Sequence, residues 1–345
     1  MPPTTPRLGG RTWRWVLAIV AAVMLLVVTS VLVWNFAGDE EQPSDVHPTS
    51  VQPTENAQLE VAGSATLTVP DTLRMESDAF EAEAGDTYLL EFEATAEKPS
   101  DSPGDAMYFG ANLACGGPDG GTLRSVGGTQ NVLTGEEVTI RNQFLLTIED
   151  SGSHACRLSL NSPNEDAAAS GTDAPMTTHW SASRVEATAL EASADERLPR
   201  VVDADDRAAA FRFEVDLEDL PSRELDLLGT LHLTTCTGVN GSREDGTTWC
   251  EEDDVDPAGS DIEVTYRTDV LDASDEVCER RVNSTTSTHI TRFTHHRVLQ
   301  ADHPASEPLS SCGDTAQVVV AVENAGPAPV VIHRSNSTLL LLSKT

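Results

Sequence analysis

The chain has 345 residues, with 22 Lys and Arg against 56 Asp and Glu, a formal charge of −34. Nucleic-acid binding is excluded by that balance, because affinity for phosphates rests on basic side chains. An apolar share of 39% with 23 Gly is that of a folded chain, and the length suits two or three domains. Lys98 and Lys344 are the only lysines, a bias that the codons of a GC-rich, bacterial genome produce, with adaptation to high salt as the alternative source.

From the N-terminus, residues 1–14 carry Arg7, Arg11 and Arg14 and no carboxylate. Residues 15–36, WVLAIVAAVMLLVVTSVLVWNF, hold no charge. At about 1.5 Å per residue they span the roughly 30 Å core of a bilayer. Trp13, Trp15 and Trp34 mark the two ends, and Asp39, Glu40 and Glu41 follow. The positive-inside rule puts residues 1–14 in the cytoplasm and the rest outside. A cleaved signal peptide would have a shorter apolar region and a small-x-small site, and Phe36-Ala37-Gly38 is a poor one. The expectation is an uncleaved transmembrane helix through which the lipid bilayer is a partner.

Residues 37–58 are acidic and Pro-rich, and read as a spacer without a core. Short runs of period two then follow: LEVAGSATLTV, TYLLEFEAT, AMYFGANLA, EEVTI, FLLTIE, CRLSLN and RVEATAL, with a long loop at 163–176. After a junction at 191–204 comes a second series: AFRFEVDLE, LLGTLHLTT, IEVTYRT, HITRFTHHRVL, AQVVVAVE, PVVIHRS and STLLLLS. The fold class expected is all-β: two tandem antiparallel β-sandwich domains, 59–190 and 205–345, preceded by one transmembrane helix.

The two series resemble each other. At an offset of 121, LEFEATAE faces FRFEVDLE and Cys115 faces Cys236; at 174, FLLTIEDSGSHACRLSL faces VVVAVENAGPAPVVIHR, and NVL (131–133) faces RVL (297–299) between them. A tandem duplication, superposing strand for strand, is the expectation. Cys115, Cys156, Cys236, Cys250, Cys278 and Cys312 are an even set in an exported chain, hence disulfides. Cys115–Cys156 closes a loop of about 40 residues, a stabilisation of roughly 3–4 kcal/mol in the chain-entropy account. The other four allow three pairings, of which Cys236–Cys250 with Cys278–Cys312 is preferred; zinc is the alternative, without a C-x₂-C pair to support it.

Asp150-Ser151-Gly152-Ser153-His154-Ala155-Cys156 resembles the Asp-x-Gly-x-Tyr-x-Cys corner of immunoglobulin-like domains, with His154 in the tyrosine's place. The resemblance implies a sandwich with an inter-sheet disulfide and a structural, inactive corner.

Chemistry is sparse. His289, His295, His296 and His303 cluster in sequence, and a metal reading would join His295, His303 and Asp302, but His295 and His296 on one strand would point to opposite faces. The acidic run Glu251–Asp256 lacks the order of a calcium loop. Both are expected to be solvated. No G-x-S-x-G, H-E-x-x-H or phosphate loop is present. Catalytic, cofactor and metal residues are therefore expected to be none. The reading is a membrane-anchored, non-catalytic binding or structural protein of the cell envelope with a partner outside the cell. A carbohydrate-binding module pair, with Tyr108, Trp249 and Tyr266 on one face, is the alternative, and an enzyme on a β scaffold a further one.

Overall fold

The computed structural model describes residues 44–45, 49–50, 57–117, 119–162, 169–185, 189–192, 198–236, 250, 256–304 and 307–343. The expected membrane helix, 15–36, lies outside them. Among the described residues no helix is long and apolar enough to cross a membrane.

The first sandwich uses β1 (Ser44–Asp45), β2 (Thr49–Ser50), β3 (Ala57–Thr68), β4 (Asp71–Glu76), β5 (Phe80–Ala82), β6 (Thr87–Glu97), β7 (Ala106–Gly116), β8 (Thr122–Leu133), β9 (Glu137–Thr147), β10 (Gly152–Ser162) and β11 (Asp173–Arg184). One sheet runs β1-β4-β10-β7-β8, with β5 also on β10; the other runs β2-β3-β11-β6-β9. This is the double Greek-key order of a jelly roll, not that of an immunoglobulin domain. Alternation builds the core: in β11, Ala174, Met176, Thr178, Trp180 and Ala182 are buried while the alternate residues between them face out. Trp180, Tyr88, Phe109 and Phe144 are its largest members.

The second sandwich uses β12 (Ala189–Glu191), β13 (Arg200–Val202), β14 (Arg207–Asp216), β15 (Leu225–Thr235), β16 (Ser260–Leu271), β17 (Val277–Ile290), β18 (His296–His303), β19 (Thr315–Asn324) and β20 (Val330–Ser343). Its sheets run β12-β20-β15-β18, with β13 on β20, and β14-β19-β16-β17. A separate core forms around Phe211, Tyr266, Leu231, Leu233 and the valines of β19. The chain passes from one sandwich to the other between Arg184 and Ala189. Both β12 and β13 belong to the second sandwich, so the stretch expected as a junction lends it a strand. Likewise β1 and β2, within the expected spacer, pair with β4 and β3.

Seven strands correspond between the halves. In order, β4, β5, β6, β7, β8, β9 and β10 match β12, β13, β14, β15, β18, β19 and β20, with the same neighbours. The strand-for-strand expectation needs correction in one respect. The first copy adds β3 and β11 beside β6, whereas the second adds the hairpin β16-β17 beside β19, on the opposite edge.

All six cysteines are bonded: Cys115–Cys156, Cys236–Cys250 and Cys278–Cys312. Persistent disulfides belong to an oxidising compartment, which places these sandwiches outside the cytoplasm. Cys115 and Cys156 stand opposite each other on β7 and β10, so this bond lies within one sheet; the inter-sheet bridge implied by the immunoglobulin-like corner is corrected. The corner itself is structural: His154 is buried, and its Nε2–H donates to the Asp150 carbonyl at 3.2 Å, the backbone contact a corner tyrosine makes.

Close packing is tight at Gly229 in the second core. A Cβ on Gly229 of β15 would lie 2.5 Å from Cε1 of Tyr266, itself fully buried. Gly229→Ala is expected to cost about 1–3 kcal/mol, seen as a lower midpoint in chemical denaturation. An unchanged midpoint would show that β15 yields at this site.

Candidate functional site: the seam between the sandwiches

The edge formed by β8 and β9 packs on the outer face of the sheet carrying β20, β15 and β18. Strand β15 is consequently covered on both sides, with Leu227, Leu231 and Leu233 facing the core and Thr230, His232 and Thr234 facing the first sandwich. Gly128 of β8 allows the approach: a Cβ there would lie 2.5 Å from Cγ2 of Ile140 and 3.2 Å from Cγ2 of Val298.

The seam is polar and buried. At its centre Asn142 of β9 is 1% exposed. Its amide donates to the carbonyls of Gly127 (2.6 Å) and Asn336 (3.0 Å). Its oxygen accepts from the Thr338 hydroxyl (2.7 Å) and the Gln143 amide N–H (2.8 Å). Both donors and both acceptor positions are used, which removes the cost of burying an amide. Gln143 accepts from Thr230 at 3.2 Å. Along the β18 side, the N–H of His296 donates to Asn131 (2.8 Å) and that of Val298 to Gln130 (3.3 Å). A bulge shapes the other face: four residues of β20, 334–337, stand opposite the single Leu231. Asn336 within it adopts φ 64°, and its side chain accepts from the Gly127 N–H at 3.1 Å.

A histidine group occupies one end. His232 Nε2 and His296 Nδ1 lie 3.1 Å apart, and Thr129 Oγ1 is 3.0 and 3.4 Å from them. The His333 ring stacks on His232 with centroids 4.7 Å apart, and His295 lies 4.3 Å from His296. Tyr108 meets His296 edge-on at 5.0 Å. Burial drives the His232 pKa down to about 3, aided by His333 and His295 and opposed by the Ser335 backbone. Burial also drives His296 to about 2, with His295, His232 and His333 adding to it, and His333 to about 4. These side chains are neutral at neutral pH. Ring stacking holds the lone pairs of His232 and His333 in near-parallel planes, so they do not converge on one ion. Among the described residues no group of three or more His, Cys, Asp or Glu side chains is placed to hold a metal.

The other end is ionic. Arg124 pairs with Glu191, and the two also bind the Leu145 carbonyl (2.9 Å) and N–H (3.1 Å) respectively.

The histidine cluster expected from sequence is divided. His296 stays in the seam with His295, which lies in the turn before β18 and not on the strand, so the opposite-faces argument does not apply to it. His303, at the far end of β18, hydrogen-bonds Ser284 at 2.5 Å beside Tyr266, and burial lowers its pKa. His289 is exposed and meets Asp261 at 2.8 Å. Asp302 is not brought together with His295. Of the aromatic trio, Tyr266 is buried in the second core and Tyr108 is engaged in the seam, so these two form no exposed platform; Trp249 lies outside the described residues. So do residues 251–255 of the acidic run, while Asp256 caps a turn by accepting from Ala258. His232, His333 and Asn142 were not singled out by sequence. The signal available was a set of amides and imidazoles interrupting β alternation.

Two outcomes follow for stability. Asn142→Ala leaves the Thr338 hydroxyl and two carbonyls without their partner, and is expected to cost about 2–4 kcal/mol in chemical denaturation. The buried His232 and the half-buried His296 and His333 bind protons less readily folded than unfolded, where the ordinary value is near 6.5. Stability is therefore complete above pH 6.5. It falls as pH drops from 6.5 towards 4, where the unfolded chain takes up protons that the folded one refuses, by up to about 1.4 kcal/mol per pH unit per histidine. Denaturation midpoints at a series of pH values check this; a flat profile from 7 to 5 would contradict it.

No protein-family model matches the chain, and no curated protein matches it. Among solved structures it is similar to the CBM22-1–CBM22-2 tandem of Paenibacillus barcinonensis Xyn10C: 11% identity, 90% of this chain and 100% of that one, TM-score 0.27. It is also similar to the structure of infectious bursal disease virus, Gx strain (12%, 89% and 78%, 0.27). A third is the periplasmic g-type lysozyme inhibitor PliG of Aeromonas hydrophila (17%, 40% and 99%, 0.20). The fold is defined by the strand order above, with these similarities standing beside it as all-β likenesses.

Proposed function

We propose that the protein is a single-pass envelope protein whose double sandwich is held outside the membrane as one stiff, non-catalytic module that binds or props a partner. The observation that carries this reading is the seam. Its amides and hydroxyls are matched across two sandwiches, and buried polar networks of this kind fix one relative orientation instead of a flexible tether. Anchoring is supported by the 22-residue uncharged run 15–36 between an arginine-bearing N-terminus and an acidic spacer. The extracytoplasmic residues from 39 onward hold 19 basic against 56 acidic side chains. That charge favours solubility and repels anionic lipid, so the module stands clear of the bilayer.

The test is topological. A phosphatase that is active only after export, fused to the C-terminus, is expected to be active in cells, and the mature chain is expected to keep its N-terminus. Activity of a C-terminal reporter that works only in the cytoplasm, or a mature N-terminus beyond residue 36, would defeat the reading.

A further inference from the structure

We propose that the seam is an acid-operated latch: proton uptake by the His232–His296 pair parts the two sandwiches at that end while each keeps its own fold. Two imidazole nitrogens 3.1 Å apart hold one proton between them, one ring donating and the other accepting. When both rings are protonated, two N–H groups point at each other and the pair repels. Thr129 Oγ1, the third corner of the triangle, is a neutral hydroxyl and offers no charge in compensation.

The surrounding groups give no relief. From β20 comes His333, stacked on His232, with the exposed Arg334 next to it. From β18 and its preceding turn come His295 and Arg297; burial lowers the Arg297 pKa against the pull of Glu136, the carboxylate at the β8–β9 turn. From β8 come Thr129, Gln130 and Asn131, from β7 Tyr108, and from β9 the uncharged Asn142 and Gln143. Among the described residues no carboxylate contributes to the shifts of His232 and His296, whose neighbouring charges are other imidazoles. Incoming protons thus meet imidazoles and guanidinium groups, and separation into water is the available response. A buried histidine cluster that charges on acidification is a recognised way of turning an interface.

The opposite end supplies a pivot. The Arg124–Glu191 clamp holds both backbone groups of Leu145 and contains no histidine. It also lies next to the crossing between Arg184 and Ala189, where the chain itself joins the halves. Arg124 and Thr129 are five residues apart on β8, about 17 Å. Opening at the histidines with the clamp retained is therefore a hinge motion. It uncovers β8 and the outward face of β15 and β20, a polar surface hidden at neutral pH.

Backbone amides report the two ends separately. The N–H groups of His296, Val298 and Gly127 are held by side chains of the opposite sandwich, and that of Leu145 by the clamp. Hydrogen exchange of the full-length chain, corrected for intrinsic rate, is compared at pH 7.5 and 5, above the ordinary carboxylate range near 4. Protection at His296, Val298 and Gly127 is expected to fall at least tenfold at pH 5 and return at 7.5. Leu145 and the interior strands β10 and β19 are expected to keep theirs. In His232→Gln/His296→Gln the pH effect is expected to vanish. Unchanged protection, or its simultaneous loss in β10 and β19, would overturn the latch, as would a pH effect persisting in the double variant. Should that variant fail to fold, the unsubstituted chain decides alone: a reversible loss confined to the seam with a midpoint between 6.5 and 4 supports the latch, and any other midpoint overturns it.

Discussion

Asn142 spends every hydrogen-bonding position of its side chain on the seam, and the architecture on either side is arranged around that amide. It needs the Gly127 carbonyl within reach, hence a β8 edge without bulk at Gly128. It needs the Asn336 carbonyl and the Thr338 hydroxyl, hence the bulge that pushes residues 334–337 of β20 out of line. An amide buried at 1% exposure with any of these missing would be a liability of a few kcal/mol. With all of them present, it sets the register of one sandwich on the other. Apolar contacts could have supplied as much adhesion, but they tolerate sliding, whereas a saturated amide does not.

This arrangement also decides which parts of the fold were legible in the sequence. Strands with one wet face announced themselves: Leu90, Phe92, Ala94 and Ala96 in β6 alternate with polar neighbours, and the corresponding run in β14 does so with Phe211 at its centre. The elements that eluded a single-sequence reading are largely those of the seam. Arg141-Asn142-Gln143 looked like a break between EEVTI and FLLTIE, yet β9 runs straight through it. Gly127-Gly128-Thr129-Gln130 belongs to none of the period-two runs and lies within β8. Polar residues were read as water-facing, because nothing local states that a second sandwich will cover them. Trp180 in β11 was hidden for a different reason: its inward partners are Ala174, Met176 and Thr178, too small or too polar to stand out beside Pro175. The disulfide pairs were legible from spacing, while the sheet that holds Cys115–Cys156 was not, since spacing does not distinguish neighbours within a sheet from partners across one. Likewise His232, His296 and His333 lie 64 and 37 residues apart in sequence and meet only through the pairing of β15 with β18 and β20.

Polar matching has a chemical consequence that apolar packing would lack. Hydrophobic seams are indifferent to pH, but one that includes imidazoles carries a reference to it. In the seam the neutral form is the one that fits, so folding and docking both favour the deprotonated state. The Arg124–Glu191 clamp draws on a different chemistry and answers to salt more than to mild acid. The two ends of one interface thus rest on chemistries that answer to different variables of the medium.

The unequal extension of the two halves has its own corollary. The contact between the sandwiches is heterologous: an edge of the first copy meets a face of the second. Repeated with equivalent surfaces, a heterologous contact that does not close generates an open filament. The second copy carries the counterparts of β8 and β9 in β18 and β19, so it inherits the same docking edge in principle. There, however, the hairpin β16-β17 is laid along β19. In the second copy the hairpin therefore covers the flank of β19 that stays an open edge on its counterpart β9.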